Sequence, residues 1–263
     1  VFYIGINMKT ALITGASNGI GYEIAKLFAK DKINLVLVAR NESKLLSIKK
    51  YFEQNYNISV KIIIKDLSLN TSPYEIFDEL NKENISIEYL VNNAGFGYWG
   101  KFSDTNLEKE LQMINLNIIS LTILTKLFLT NMIKNNFGKI LNIASTASFQ
   151  PGPNMAIYYA TKAYVLSFSE AISEELRGSS VSITTLCPGP TNTNFENFSG
   201  LNKAKLFKIM KPANAYKVAM YGYKTMMKGK RLAIYGFTNK IILIIEKFFP
   251  RILILKVIKY LQS

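Results

Sequence analysis

The chain contains no histidine and a single cysteine, Cys187, among its 263 residues. The absence of histidine excludes Ser-His-Asp triads and metal sites built on imidazole, and we expect no metal ion. One cysteine cannot form an intrachain disulfide, so the cysteine content gives no indication of an oxidising compartment. A cytoplasmic protein is therefore predicted, and Cys187, which has no partner thiol, is expected to pack in the core.

Acidic residues are also scarce, with 18 Asp and Glu against 32 Lys and Arg and a net charge of +14. The lysines are scattered among Asn and Ile residues and form no basic stripe interleaved with aromatics, so we predict no nucleic-acid partner. The apolar start, residues 1–7, is far shorter than the roughly 18 to 20 residues of a bilayer span. Because Met8 follows it directly, we interpret this start as an extension outside the fold.

What the chain does contain is an alternation of short runs rich in branched apolar residues with longer stretches of helical period. This alternation is typical of a parallel sheet covered by helices on both faces. We predict strands at 10–14, 34–39, 60–64, 89–92, 139–144, 181–187 and 231–235, and helices at about 20–30, 43–54, 73–82, 117–136, 158–177 and 214–228. The predicted fold class is α/β, a Rossmann-like doubly wound parallel sheet of about seven strands, in one domain over residues 8–238.

Two segments interrupt the alternation. Residues 190–211, largely polar and without a regular period, follow a strand on the side where α/β sheets bind ligands, so we predict a substrate lid there. The C-terminal tail, residues 239–263, is apolar but too often interrupted by basic residues to span a bilayer. It is predicted to form an oligomer interface or a wall of the substrate pocket, with peripheral contact to an anionic membrane as the alternative.

The turn after the first strand, TGASNGIG at 14–21, carries glycines with the spacing G-x-x-x-G-x-G. At Gly15, Gly19 and Gly21 the missing side chains permit a tight turn, close approach of the backbone to a pyrophosphate and close packing of helix on strand. The N–H groups and the positive end of the helix dipole would face the phosphate. The turn therefore predicts a nucleotide-binding site.

This glycine spacing resembles that of the short-chain dehydrogenase/reductase (SDR) superfamily, and further motifs extend the resemblance from about residue 8 to residue 235. The resemblance implies an oxidoreductase that moves a hydride between a nicotinamide cofactor and a carbonyl or alcohol carbon. It also implies that Asp66 contacts adenine, that the Asn-Asn-Ala-Gly motif at 92–95 supports the sheet beside the cofactor, and that a Pro-Gly segment shapes the turn after the sixth strand. The cofactor-binding residues that it implies are Gly15, Ser17, Asn18, Gly19, Ile20, Gly21, Asp66, Asn93, Ala94, Gly95, Tyr158, Lys162, Pro188, Gly189, Thr191 and Thr193.

The preferred cofactor is predicted from the end of the second strand. A site for NAD usually has an Asp or Glu there to bind the adenosine ribose, but this chain has Ala39. The next residue, Arg40, offers a planar guanidinium that can pair with a 2′-phosphate. NADP(H) is therefore the predicted cofactor. Because Asn18 stands where some NADP-preferring relatives have a second basic residue, NAD(H) is kept as an alternative.

The segment 158–162 places a tyrosine and a lysine four residues apart, and so on one face of a helix. An isolated tyrosine has a pKa of about 10, and a nearby positive charge lowers it by favouring the phenolate. With Lys162 and an oxidised nicotinamide beside it, Tyr158 is expected to exchange a proton with the substrate near neutral pH. Tyr158 would then act as a general acid-base catalyst. Tyr159 is excluded from this role because the residue four positions later is Ala163.

Two further residues complete the predicted catalytic set. Ser145 lies 13 residues before Tyr158, as the active serine does in many SDR enzymes, and its hydroxyl would hold the substrate oxygen. Asn115 and Asn117 compete for the fourth position, and the family spacing of eight residues to Thr125 selects Asn117. The resemblance implies that Asn117 holds a water linking the lysine to solvent, and Asn115 is expected to cap the start of the helix.

The predicted function is thus NADP(H)-dependent oxidation or reduction, because a protein without turnover has no need of all four catalytic residues in register. The alternative is a catalytically silent NADP(H) sensor or a membrane-associated protein of the same fold. The resemblance also implies a homodimer or homotetramer. Large apolar residues in the predicted loops and lid favour an apolar carbonyl or alcohol substrate, namely Phe96, Tyr98, Trp99, Phe149, Phe195, Phe198, Leu201 and Phe207.

Overall fold

The computed structural model describes residues 9–193, 195, 211–246 and 248–262. The predicted N-terminal extension, residues 1–7, lies outside the described residues, and so does most of the predicted lid, residues 194 and 196–210 with Phe198, Leu201 and Phe207. The described residues are organised around one seven-stranded sheet with helices on both faces.

Short runs of branched apolar residues form the strands, as the sequence predicts. The strands are β1 (Thr10–Thr14), β2 (Asn34–Ala39), β3 (Val60–Ile64), β4 (Tyr89–Asn92), β5 (Gly138–Ile143), β6 (Val181–Cys187), β7 (Thr191–Asn192), β8 (Ala213–Asn214) and β9 (Leu232–Ile234). The main sheet has the order β3-β2-β1-β4-β5-β6-β9, and all its pairings are parallel. β7 and β8 pair separately. The predicted fold class is confirmed.

The helices connect successive strands. They are α1 (Gly19–Lys30), α2 (Glu42–Tyr56), α3 (Ser72–Lys82), α4 (Leu107–Ile114), a π-helical turn (Asn115–Ser120), α5 (Leu121–Lys134), a 3-10 turn (Thr146–Phe149), α6 (Ala156–Glu175), α7 (Ala215–Met227), α8 (Phe237–Glu246) and α9 (Arg251–Leu261). β1 pairs with β2 on one side and with β4 on the other. The chain therefore adds β2 and β3 on one side of β1, and then reverses direction and adds β4 and the later strands on the other side. Such a reversal opens a crevice at the carboxyl ends of the strands, where ligands of this fold bind.

Alternate residues of the central strands supply two cores, one on each face of the sheet. Ala11 and Ile13 pack with Phe28 of α1 and Tyr223 of α7 on one face. Leu12, between them in sequence, faces the opposite core with side chains of α3 and α5. Since side chains alternate across a strand, a continuous apolar run is what a sheet covered on both faces requires.

The longest helix begins earlier than the sequence indicates, at Leu107 and not near 117. Asn106 caps its start, with the side chain accepting a hydrogen bond from the Lys109 N–H at 3.0 Å. The expectation that Asn115 caps a helix start is wrong, because Asn115 lies inside the π-helical turn of a continuous helix.

This helix, residues 107–134, is the one helix among the described residues long and apolar enough to cross a membrane, and an 18-residue window within it has a mean hydropathy of 1.5. Its inward face carries buried polar side chains. The hydroxyl of Thr125 accepts a hydrogen bond from Asn92 of β4, and Asn117 bonds to Thr161 of α6. The helix is therefore packed as a core helix beside the sheet.

Candidate active site

A cavity of about 810 Å³ opens at the carboxyl ends of the strands. It extends along the sheet edge from the ends of β2 and β3 to the residues after β5 and β6. Most of the predicted site residues line it, namely Gly15, Ser17, Asn18, Gly19, Ile20, Arg40, Asp66, Asn93, Ala94, Gly95, Ser145, Tyr158, Lys162, Pro188, Gly189, Thr191 and Thr193. Gly21 and Asn117 are not among its lining residues and lie behind the wall.

The glycine-rich turn is held by the first asparagine after β4. Gly15 has φ +65, and its N–H donates to the Val38 carbonyl at 2.9 Å. The Asn93 amide donates to the Thr14 carbonyl at 2.9 Å, and a Cβ on Gly15 or Gly21 would lie within 2.7 or 2.5 Å of that amide nitrogen. The missing side chain of Gly21 makes room for Asn93, and the contact of Gly21 with a cofactor stays a prediction.

The start of α1 presents free donors to the cavity. Asn18 is the N-cap, makes no side-chain capping bond, and no acidic residue lies in the first turn. Gly19 has φ +57, and a Cβ there would lie 3.0 Å from the methyl of Thr193. Uncapped N–H groups at the positive end of a helix dipole favour an anion. The turn therefore fits a phosphate group.

Asn92 supports the sheet beside this turn. Its amide donates to the side chains of Thr125 on α5 and Asn142 on β5 at 3.0 and 2.9 Å, and Asn142 donates in turn to Ser169 of α6 at 2.9 Å. These buried bonds tie the centre of the sheet to both helices that carry site residues.

Arg40 and Asp66 lie together at the other end of the cavity. Their side chains form an ion pair at 3.5 Å, in which the Arg40 side chain is 74% exposed. Burial opposes ionisation of Asp66, but hydrogen bonds from Ser68 and the nearby Arg40 hold its pKa below the ordinary value. An exposed pair at this distance is weak, so Arg40 is available to an anionic ligand.

Tyr158 lies in a buried apolar cluster with Met155 and Tyr159, and its ring centroid is 5.4 Å from that of Phe195. Burial raises the pKa of Tyr158 above its ordinary value, although a hydrogen bond with Ser145 opposes the shift. The lowered pKa expected beside both Lys162 and an oxidised nicotinamide stays a prediction. Desolvation of the phenolate is the largest cause of the shift in the protein alone, so the phenol is protonated at neutral pH.

Lys162 is also buried, with 6% of the residue exposed. Its ammonium donates to the Ile143 carbonyl at the end of β5 at 2.9 Å and lies 5.9 Å from the centroid of the Tyr158 ring. Burial lowers the pKa of Lys162 to about 8. The ammonium is thus still the main form at pH 7, in a site where its charge is poorly screened.

Ser145 is the N-cap of the 3-10 turn that follows β5. Its hydroxyl accepts from the Ala147 N–H at 3.1 Å, and its own N–H donates to the Ser148 hydroxyl at 3.4 Å. Ser148 donates in turn to the Lys162 carbonyl at 2.8 Å. Ser148 therefore fixes the serine loop to α6, while Ser145 lines the cavity beside Tyr158.

Asn117 occupies the π-helical turn and is 1% exposed. Its side chain accepts from the Phe96 N–H at 3.2 Å and donates to the Phe96 carbonyl at 3.0 Å and to Thr161 at 3.1 Å. A Cβ on Gly95 would lie 2.9 Å from the Asn117 oxygen and 3.5 Å from the Lys162 ammonium. π turns recur at functional sites, and this one fixes the loop after β4 close to the lysine.

The substrate end of the cavity includes a residue that sequence reasoning missed. Gln262 is 2% exposed and lines the cavity. Its backbone carbonyl accepts from Trp99 at 2.9 Å and from Asn154 at 3.2 Å, while its side chain donates to the Tyr159 hydroxyl at 2.8 Å. Within the described part of the chain, the Gln262 side-chain oxygen has no hydrogen-bond partner. No local pattern marks this residue, because its partners lie 103 to 163 positions away.

The apolar residues predicted for the substrate end divide into two groups. Phe96, Tyr98 and Phe195 line the cavity. Trp99 packs behind them in the same cluster as Tyr158, whereas Phe149 packs in another cluster, against the start of α5 and the middle of α6.

The cavity as a whole fits an extended dinucleotide. One region has uncapped helix N–H groups beside glycines without side chains, another has exposed cations, and a third is apolar with a buried tyrosine and lysine. Cavities of about 300 to 1,000 Å³ are typical of small-molecule and cofactor sites. Fold and site together define a dinucleotide-binding α/β protein.

Comparison with known proteins assigns the family. A family model described as short chain dehydrogenase matches residues 9–203. The chain is 34% identical over 192 residues to an NADP-dependent 3-hydroxy acid dehydrogenase from Schizosaccharomyces pombe, covering 71% of this chain and 73% of that protein. The chain therefore belongs to the short chain dehydrogenase family, and it is an oxidoreductase of CH–OH and C=O groups that uses a nicotinamide cofactor.

Solved structures agree with this assignment. A short-chain dehydrogenase from Sphingobium yanoikuyae in complex with NADPH has a TM-score of 0.82 at 26% identity, covering 92% of this chain and 94% of that chain. A bulky-bulky ketone specific alcohol dehydrogenase from Comamonas testosteroni has a TM-score of 0.78 at 27% identity, covering 92% and 93%.

Proposed function

We propose that the protein is an NADP(H)-dependent reductase of apolar carbonyl compounds, with Tyr158 as its general acid. The observation that carries the proposal is the convergence of Ser145, Tyr158 and Lys162 on one wall of the cavity that the glycine-rich turn also lines. When bound, the nicotinamide supplies or accepts the hydride.

The preference for NADP(H) is supported by cations at the end of the cavity that Arg40 lines. Lys44 lines the cavity together with Arg40, and no ion pair to Lys44 is found in the described part of the chain. Ala39 offers no carboxylate that would repel a 2′-phosphate. Arg40 and Lys44 would hold that phosphate, and Asp66 would then share Arg40 with it. NAD(H), which lacks the phosphate, would bind more weakly.

Proton transfer is assigned to Tyr158. Because burial raises its pKa, the phenol carries its proton at neutral pH and can give it to a carbonyl oxygen as that carbon is reduced. The Lys162 ammonium would stabilise the phenolate left behind, from a position fixed by the Ile143 carbonyl. This protonation state favours reduction over alcohol oxidation near pH 7.

Ser145 and Asn117 serve this transfer in different ways. The Ser145 hydroxyl, hydrogen-bonded with Tyr158, would hold the substrate oxygen beside the phenol and stabilise charge on it. Asn117 is a positioning residue, because its side chain is bound to the Phe96 backbone and to Thr161. A water held near Asn117 would connect Lys162 to solvent protons, so that the Tyr158 phenolate is reprotonated after each turnover.

An apolar substrate is supported by the residues that surround the tyrosine. Phe96, Tyr98, Met155 and Phe195 line that part of the cavity. Two similar proteins are described as acting on a 3-hydroxy acid and on bulky ketones. We propose a ketone or 3-oxoacyl compound with an apolar body.

The test is consumption of NADPH with a panel of ketones, aldehydes and 3-oxoacyl thioesters, for the parent protein and for Tyr158→Phe. Loss of the phenolic proton should lower kcat by about 10² to 10⁴, whereas NADPH binding, measured by fluorescence, should stay within about twofold. Unchanged turnover in Y158F would refute the mechanism. NADPH binding without turnover of any carbonyl in the parent protein would favour the alternative, a silent NADP(H) sensor.

We further propose that the protein acts in the cytoplasm as a homodimer or homotetramer. Cys187 is fully buried, and burial raises the pKa of its thiol to about 12, which suits a cysteine that stays reduced. Subcellular fractionation of the source cells and sedimentation velocity of the purified protein test the two parts of this proposal.

A further inference from the structure

The two C-terminal helices expose an unusual amount of apolar surface. Among the described residues, 22 large hydrophobic side chains are exposed, and eleven of them belong to residues 237–260 of α8, α9 and the turn between them. Phe248 is 82% exposed, Phe237 78% and Ile252 60%. We call the exposed apolar side chains of residues 237–260 the C-terminal apolar face. Contiguous surfaces of this kind mark interaction sites.

The second of these helices, α9, has its opposite face buried against the active site. Ile258 of α9 is 8% exposed and packs in the cluster that contains Met113, Tyr158 and Tyr159. Trp99 and Asn154 hold the chain end after α9 through the Gln262 carbonyl. The exposed side chains of α9 are therefore not the ones that pack on this core, because α9 already contacts the core through its opposite face.

Charge around the C-terminal apolar face is mostly positive. Residues 237–263 contain five basic residues and one acidic residue. Lys240, Arg251, Lys256 and Lys259 are exposed, whereas the single acid, Glu246, is half-buried. A second copy docked face to face would bring like charges together, which opposes association. An anionic surface would pair with all of these cations.

We propose that the C-terminal apolar face docks on the surface of a bilayer that contains anionic phospholipid. Apolar residues of amphipathic helices enter the boundary between headgroups and acyl chains, and lysines at the edge add attraction to anionic lipid. Phe248 and Phe249, in the turn between α8 and α9, are the most protruding aromatic pair of the face, at 82% and 54% exposure. The proposal does not depend on the proposed catalytic mechanism.

Flotation of the full chain tests the proposal, with phosphatidylcholine vesicles compared with phosphatidylcholine vesicles that contain phosphatidylserine. The parent protein should float only with the anionic vesicles, and added salt should weaken the binding. K256E/K259E should lower the partition coefficient by about tenfold or more, and Phe248→Ser with Phe249→Ser should lower it similarly. The matched control K50E/K82E changes the net charge by the same amount as K256E/K259E, at exposed lysines distant in sequence from the C-terminal apolar face. It should float like the parent.

Three results would overturn the proposal. One is absence of the parent protein from the floated fraction with anionic vesicles. Another is an equal loss of binding in K50E/K82E, which would indicate attraction by net charge alone. The third is loss of self-association in F248S/F249S, seen by light scattering, without any effect on flotation, which would assign the face to a second copy. NADPH binding of all variants in solution checks that each is folded.

Discussion

The two ends of the cavity are built in different ways. The end that fits the adenosine and phosphates is formed by short turns directly after β1, β2 and β3, and its cations are exposed. The end around Tyr158 is buried and apolar, and it joins residues from α6, the loop after β4 and the last described residue, Gln262. Changes at the exposed end should therefore alter cofactor affinity, whereas changes at the buried end should alter the chemistry or substrate binding.

Among the substitutions that test this difference between the two ends, Lys162→Met should have the largest effect on activity. Removing the buried ammonium leaves the Tyr158 phenolate without a nearby cation, so kcat for carbonyl reduction should fall by about 10² to 10⁴. Because burial already lowers the lysine pKa, loss of this charge should not reduce the free energy of unfolding. Steady-state kinetics and urea unfolding give the two readouts, with the exposed Lys126→Met as control. A large loss of stability with normal kcat would contradict the assignment.

At the exposed end, Arg40→Ala combined with Lys44→Ala should raise the KM for NADPH by about 10- to 100-fold, because charged hydrogen bonds from these exposed side chains to the phosphate contribute about 1.5–3 kcal/mol in total. The KM for NADH should change little, because NADH has no 2′-phosphate. The ratio of kcat/KM for the two cofactors is the measurement. An equal loss for both cofactors would mean that these residues do not recognise the phosphate.

The exposed end is easier to predict from the sequence than the buried end, because it is built from local patterns. Branched apolar runs predict β1 to β4 with the observed bounds, because buried parallel strands have a strong local pattern. The glycine turn and the cavity-lining tyrosine-lysine pair are also local patterns. Leu107 as the helix start was missed, although Asn106 followed by acidic residues in the first turn is a recognisable N-terminal cap.

Two features of the buried end could not be predicted, because they depend on packing between distant residues. The sequence predicts positive charge beside Tyr158 from Lys162 and an oxidised nicotinamide, but only the folded protein shows how strongly the phenol is desolvated. Gln262 meets Tyr159 across 103 positions, and the apolar tail pattern is equally compatible with an interface or a pocket wall.

The pH dependence of reduction tests whether the buried end requires the charged form of Lys162. Lys162 is protonated below its pKa of about 8 and loses the charge above it. Reduction, expressed as kcat/KM, should therefore be constant from pH 6 to about 7.5 and fall by about tenfold for each further unit above pH 8. The residual activity of K162M should lack this decline. A profile that rises through pH 8 would show that the phenolate, not the phenol, is the active form in reduction.

The smallest expected effect is a change in the KM for the carbonyl substrate, without a change in the KM for NADPH, when Gln262 is replaced at the buried end. Gln262→Met keeps the length of the side chain but removes the bond to Tyr159 and the unpartnered oxygen at the cavity wall. Because one neutral hydrogen bond contributes about 0.5–1.5 kcal/mol, the KM for the carbonyl substrate should change by about three- to tenfold, with the KM for NADPH unaffected. Gln150→Met is the matched control, since its side-chain oxygen is also buried without a partner but does not line the cavity. If both variants change the substrate KM equally, the effect is one of general packing, and Gln262 does not contact substrate.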